Sequence, residues 1–499
     1  MGDLDAQRPP QTAEPAPPVE GSRPHHPPTP AALIELMSRD WAPTSTLPDR
    51  PHAAAPRYAE RRQALSRLFP GVNLVIPTGI PKARANDDDY RFRPGSDHYW
   101  LTGHTEPGGV LLLRAEGKEH RAILHLEPRS DRSTPGFFTN AQSGELWVGP
   151  RRGVEETAYL LGVDCAPLAE LEGAVRGLDG PVVVLRGFDP GVESLVATPD
   201  DPAEEVRLAQ ELSELRLIKD AHEVQMLERA VAATIRGFED VARALPEAME
   251  QGERVVEGVF NLRARVEGND VGYGTIAASG SHATILHWNR NDGEVHSGDL
   301  LLLDAGVECD ELYTADVTRT VPVSGRFTTD QRRLYELVYR AQEAAIAEVR
   351  PGAAFLDPHR AAMRVLAEGL EELGILPVSA EEALADDSQL HRRYTLHGTS
   401  HMLGLDVHDC AHAREQEYRG GTLRPGHVLT VEPGLYFQAD DLTVPERWRG
   451  IGIRIEDDVL VTEDGCRVLS GALPRDPDAV ERWLGELRGQ EVQLRRPLG

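Results

Sequence analysis

The residues best placed to do chemistry are carboxylates that close apolar strands. GDLLLLDAG (298–306) sets Asp304 behind four leucines, and Asp316 follows in LYTADVTRT (312–320). The run of leucines reads as a strand buried on both faces. Between the two acids lies GVECDELY, a turn segment centred on Asp310. Positions 304 and 316 are equidistant from that centre, so a hairpin would oppose them directly. Opposed residues have Cβ atoms about 4.5–5.5 Å apart. Two carboxylates that close either share a proton or hold a cation.

The pattern recurs. GHVLTVEPG (426–434) repeats the frame of glycine, an acid six positions on, any residue, and glycine. A strand bearing a further acid follows again, here Glu456 in GIGIRIEDDVLVT (450–462). Two half-units therefore supply two carboxylates each, as expected of an internal pseudo-repeat whose hairpins meet at one site. Between them sits HGTSHMLGLDVHD (397–409), with His397, His401 and His408. A lone histidine is more often a packing residue, but three this close, flanked by acid-bearing hairpins, point to a site. Four carboxylates would be neutralised by two divalent cations. An oxygen-rich set with one imidazole favours Mn²⁺ or a Mg²⁺-like ion and admits Zn²⁺, Co²⁺ or Fe²⁺. Two such ions about 3.5–4 Å apart can hold a hydroxide between them and polarise a carbonyl. The chemistry is thus metal-assisted hydrolysis of an amide. Asp457 and Asp458, beside Glu456, read as solvated strand-end residues, with Glu456 and Asp457 on opposite faces.

Together DAG and YTADVTR, HGTSHMLGLDVHD, EPGLY and GIGIRIEDD resemble the motifs of the pita-bread-fold metallopeptidases, in particular the aminopeptidase P (Xaa-Pro aminopeptidase) family. The resemblance covers residues 56 to 475. It implies an α+β catalytic domain with a pseudo-twofold repeat, preceded by an α/β creatinase-like (ribonuclease-H-like) domain. It places five metal ligands on Asp304, Asp316, His401, Glu432 and Glu456, with Asp316 and Glu456 bridging two ions. It makes Glu432 the acceptor of the water's proton, His408 the stabiliser of the developing oxyanion, and His401 a further catalytic group. His287 in TILHWN, His397 and His408 would line the substrate pocket. Arg454, which shares the face of Glu456, would bind or orient substrate or, on a rival reading, hold a ligand. This chain has one residue more between Asp304 and Asp316 than the family's pattern, an addition expected in the turn.

The activity so implied is removal of the first residue from peptides whose second residue is proline, by a homodimer or homotetramer. Prolidase, which cleaves Xaa-Pro dipeptides, is the enzymatic alternative, and a metal-free binding module or creatinase-like chemistry the non-metallic one. Methionine aminopeptidase fits poorly, since that family lacks a first domain of this kind.

These groups need a scaffold, and 499 residues can supply more than one core. Residues 1–55 open with nine prolines in the first 30 and are expected to be disordered, with a short helix over AALIELM (31–37). His25 and His26 fall there as tail residues. An α/β domain is expected over 56–200, with strands at VNLVIP, GVLLLR, RAILHLE and PVVVLRG and helices at 57–69 and 155–162. It shows no catalytic constellation. A linker helix (201–219), capped by Asp200 or Asp201 with Pro202 in its first turn, leads through one bend or break into the catalytic domain (220–475). Residues 476–499 read as a helix and tail. The net charge of −28 disfavours nucleic acid as a partner. Four scattered cysteines without a CxxC pair argue against a thiolate zinc site and suit a reducing cytoplasm. No apolar run is long enough to span a bilayer, and the N-terminus lacks a secretory h-region.

Overall fold

The computed structural model describes residues 29–42, 47–86, 88–492 and 494. Of the segment 1–55 expected to be disordered, residues 1–28, His25 and His26 included, and 43–46 lie outside the described residues. The chain divides into two compact units, Met1–Glu205 and Val206–Gly499.

The first unit is built on a five-stranded mixed sheet, in the order Asp164–Pro167, Glu119–Leu126, Val110–Glu116, Asn73–Pro77, Val182–Val184. The central strands are continuous apolar runs, because both faces are covered. Val75, Val110, Leu112 and Val184 pack with Leu171 and Val175, while Leu124 and Leu126 pack with Tyr58 and Leu161. The helices Ala55–Leu68 and Val154–Leu161 supply the last two.

The helical segment after residue 200 breaks once, as its sequence suggests. Asp201 accepts a hydrogen bond from the Ala203 N–H, and the helix Ala203–Leu217 follows. A second helix, Ala221–Gln251, starts at a capping box in which Asp220 and Glu223 each satisfy the other's backbone N–H. In the second unit two helix pairs, Ala221–Gln251 with Glu253–Glu267 and Thr329–Glu348 with Asp357–Glu372, accompany two three-stranded sheets. One sheet has the order Val317–Pro322, Leu300–Ala305, Ile276–Ser279; the other has Val428–Val431, Asp457–Val461, Cys466–Val468. A two-stranded ribbon, Gly434–Phe437 with Ile451–Arg454, completes the second half.

Leu300 to Leu303 are all buried, as a strand covered on both faces requires. Each such leucine contributes about 1.5–3 kcal/mol by leaving water. That apolar anchoring is what makes the strand ends rigid enough to aim carboxylates. Among the described residues no helix is long and apolar enough to cross a membrane.

Candidate metal centre

The two hairpins present their acids differently. Val431 pairs with Asp457 and Gly434 with Arg454 in one continuous register, which sets Glu432 opposite Glu456. In the first hairpin Asp304 pairs with Thr318, not Asp316. The expected direct opposition of the two aspartates is therefore corrected. The register runs unshifted from Leu300↔Pro322 to the Glu308↔Thr314 bridge, so the turn centres on Glu311 rather than Asp310. It is a three-residue turn closed by Leu312 at φ 66°, a left-handed residue of the kind such hairpins use. Asp316 ends up diagonal to Asp304 on the same face of the sheet.

All nine residues singled out from the sequence line one cavity of about 510 Å³: Asp304, Asp316, His401, Glu432 and Glu456, with His287, His397, His408 and Arg454. Asp316, His401 and Glu456 each offer a ligand atom, and these atoms lie within 4.8 Å of one another. The His401 Nε2 is 3.3 Å from Asp316 Oδ2 and 3.5 Å from Glu432 Oε1. The Tyr273 hydroxyl lies 2.6 Å from both Asp304 Oδ1 and Asp316 Oδ1. One phenolic proton cannot serve two carboxylates at once, so this contact already shows negative charge in excess.

The electrostatics agree. Burial, with Asp316 adding to it, pushes the Asp304 carboxyl up despite the Arg454 guanidinium beside it. Burial and the neighbouring acids raise Glu456 strongly. Burial carries Glu432 up to about 7 against the pull of His401. Burial alone would lower His401, but the Asp316 and Glu432 carboxylates override it and push the imidazole up to about 9. Positive charge is in demand at this point. Four carboxylates and one imidazole with no thiol nearby form a donor set for hard or borderline divalent cations.

Around these groups the sequence places supports that its motifs only partly announced. Thr318 donates to Glu456 Oε2 at 2.6 Å. Arg454 donates to Asp304 Oδ2 at 2.5 Å and to the Tyr436 hydroxyl at 3.0 Å. Tyr436 in turn donates to His397 Nε2 at 2.8 Å, while His397 Nδ1 lies 2.8 Å from the Gly398 carbonyl. Burial, helped by Arg454, lowers His397 to about 4, so it stays neutral at pH 7. Most of the Arg454 guanidinium is thus engaged with protein groups. Burial, with His401 adding to it, also lowers His408, whose ring stands 4.5 Å from that of His401. His287 is exposed at the cavity wall.

Asp457 and Asp458 are not solvated strand-end residues, as their place in a charge run had suggested. Both are fully buried. Asp457 accepts from Arg319, Gln342, Ser470 and Arg475. Asp458 accepts from the Asp316 N–H at 3.2 Å and so fixes the strand behind that carboxylate. Tyr273 was missed as well: GYG carries no periodicity, and nothing local marks its hydroxyl as functional. Thr318 and Tyr436 were available as signals, since both fall inside the quoted motifs.

Residues 225–463 match the profile of metallopeptidase family M24, and residues 58–180 match that of the aminopeptidase P N-terminal domain. The chain is 54% identical over 457 residues to Xaa-Pro aminopeptidase 1 of Streptomyces coelicolor, covering 92% of each. Among solved structures it resembles aminopeptidase P from E. coli with the inhibitor Pro-Leu, with a TM-score of 0.76 and 31% identity over 87% of this chain and 99% of that one. It resembles equally the Zn-substituted E. coli aminopeptidase P in complex with product, with a TM-score of 0.76 and 32% identity over 88% and 100%.

Proposed function

This chain belongs to metallopeptidase family M24 and is a metal-dependent aminopeptidase with the pita-bread fold, and from that premise we propose that it hydrolyses the N-terminal Xaa-Pro bond of peptides with two divalent cations, Mn²⁺ foremost. The observation that carries the reading is the convergence of Asp304, Asp316, His401, Glu432 and Glu456 on one cavity that also holds three further histidines. Those five side chains would hold the ions, Asp316 and Glu456 serving both. Such a pair, when bound, supplies acidified water and a polarised carbonyl.

The rest is done by this chain's own residues. Glu432 accepts the water's proton, reaching into the cavity with its oxygens 3.5 Å from His397 Nδ1 and His401 Nε2. His408, neutral because burial and His401 keep it so, donates a ring N–H to the oxyanion as it develops. His397 is locked by Gly398 and Tyr436, so it shapes the pocket wall with a fixed orientation. Arg454 holds Asp304 in place, and His287 contacts substrate from the loop opposite. The proline preference rests on the named relatives; a ring that lacks an N–H and fixes φ suits a dedicated pocket. A homodimer or homotetramer in the cytoplasm completes the proposal, with sedimentation as its check.

Xaa-Pro dipeptides and Xaa-Pro-Yaa tripeptides compared with added Mn²⁺ test the assignment. Release of the first residue from tripeptides is expected. Cleavage confined to dipeptides would make the protein a prolidase instead.

A further inference from the structure

We infer that Glu253, which lies outside the cavity, is a positioning residue for His287: its carboxylate clamps both ends of the loop that carries this histidine to the cavity wall.

Glu253 begins the helix Glu253–Glu267 and is completely buried. Its Oε1 accepts from the Ser279 N–H and from His282 Nδ1, each at 2.8 Å. Its Oε2 accepts from the Trp288 indole N–H and from the Gly293 N–H, again each at 2.8 Å. Four donors fill the acceptor sites of one carboxylate. They come from both ends of the 279–293 segment and from two side chains within it. The Glu253 N–H also donates to the Gly293 carbonyl at 2.9 Å, so backbone and side chain grip the same point.

The packing has no slack. The His282 ring stacks on Trp288 at 3.8 Å between centroids. A Cβ at Gly293 would stand 2.4 Å from His282 Cε1 and 2.8 Å from Glu253 Oε2, so only glycine fits. Asn291 ties the returning chain to the start of the strand Ile276–Ser279, accepting from the Ala277 N–H and donating to the Thr275 carbonyl. Between these fixed points, Leu286, His287 and Asn289 line the cavity. After the short turn Gly280–Thr284, the loop has no helix or strand of its own until Leu300. Its shape is therefore set by side-chain contacts: the Glu253 clamp at both ends, and Gln438, whose amide donates to the Thr284 carbonyl at 2.8 Å. Trp288, buried beside the exposed His287, transmits that shape to the wall.

The inference rests on the proposed peptide site only for its kinetic consequence, and the test separates the two. Glu253→Gln puts an NH₂ against two donors that needed an acceptor. In the metal-free variant, hydrogen exchange of the 280–293 amides is expected to speed up at least tenfold, while the Leu300–Ala305 amides keep their protection. In the Mn²⁺-loaded protein, kcat/KM for an Xaa-Pro-Yaa peptide is expected to fall about 10- to 100-fold. Glu253→Gln in a His287→Ala background should add less than threefold, since the two changes remove the same contact. Trp288→Phe removes one donor and keeps the ring, and should loosen the loop to a smaller extent; it carries the test if Glu253→Gln does not fold. Unchanged exchange over 280–293, or kinetic effects that multiply fully in the double variant, would overturn the clamp. Absence of peptidase activity in the wild type would overturn the functional reading and leave the exchange result to decide the clamp.

Discussion

Asp409→Asn probes how the loop carrying His401 and His408 is held. Asp409 is buried, and it faces two cations that are buried with it. Arg216 donates to its Oδ1 and Lys219 to its Oδ2, each at 2.8 Å. Burial alone would raise this carboxyl, yet the two cations outweigh it and hold it down to about 2, against 3.8 for a free aspartate. That shift corresponds to roughly 2 kcal/mol of stability at neutral pH. Asparagine also turns an amide toward a guanidinium or ammonium, leaving buried charge uncompensated, which brings the expected loss to about 2.5–5 kcal/mol. Urea unfolding read by tryptophan fluorescence measures it. Because the folded carboxyl is depressed, its contribution is complete above the unfolded pKa and fades as pH falls through 3.8 toward 2. The gap between wild type and variant should therefore be flat from about pH 5 to 8 and close below about pH 4. Adding Lys219→Met removes one orphaned cation and should recover part of the loss. The reasoning fails if Asp409→Asn sits within about 0.5 kcal/mol of wild type, or if the double variant is worse than the sum of the single changes.

Two further outcomes follow from the packing. In the first unit, burial lowers His98 to about 4 and, with His98 adding to it, His104 to about 3. Both fold neutral, and the unfolded chain takes up protons below about pH 6.5, so stability should fall as pH drops from there, by up to about 1.4 kcal/mol per pH unit for each ring. Acid unfolding of His104→Asn should be shallower than that of wild type, and an identical slope would count against the assignment. In the second unit, a Cβ at Gly306 would stand 1.8 Å from the Ala315 carbonyl. Gly306→Ala should therefore spread the hairpin that carries Asp304 and Asp316 and weaken Mn²⁺ binding at least tenfold; affinity within twofold of wild type would show that the hairpin geometry is not what holds the ligands.

Much of the site was legible because the chain repeats its own logic. A leucine strand ending in an acid is unusual once, and the second frame at 426–434 gave it meaning. The register was only half legible. Glu432 and Glu456 oppose each other, but a three-residue turn ending in a left-handed leucine displaces Asp316 by two residues along the ladder. No glycine marks that turn, so its centre could not be read from GVECDELY. The buried Asp457 and Asp458 were illegible for a different reason. Their partners, including Arg319 and Gln342 for Asp457 and the Asp316 N–H for Asp458, lie as many as 142 residues away in the chain. A charge run looks solvated until the fold brings such partners to it. Glu253 was silent likewise, since its four donors assemble only when the 279–293 loop closes.

The convergence of the five ligands is tested most directly by metal stoichiometry, from elemental analysis and Mn²⁺ titration calorimetry on the wild type, Asp316→Asn and Glu456→Gln. Two ions per chain are expected for the wild type. Each variant loses a shared carboxylate and should retain at most one, with affinity at least tenfold weaker. A wild type that takes up no Mn²⁺, or variants that bind two ions with unchanged affinity, would contradict the account.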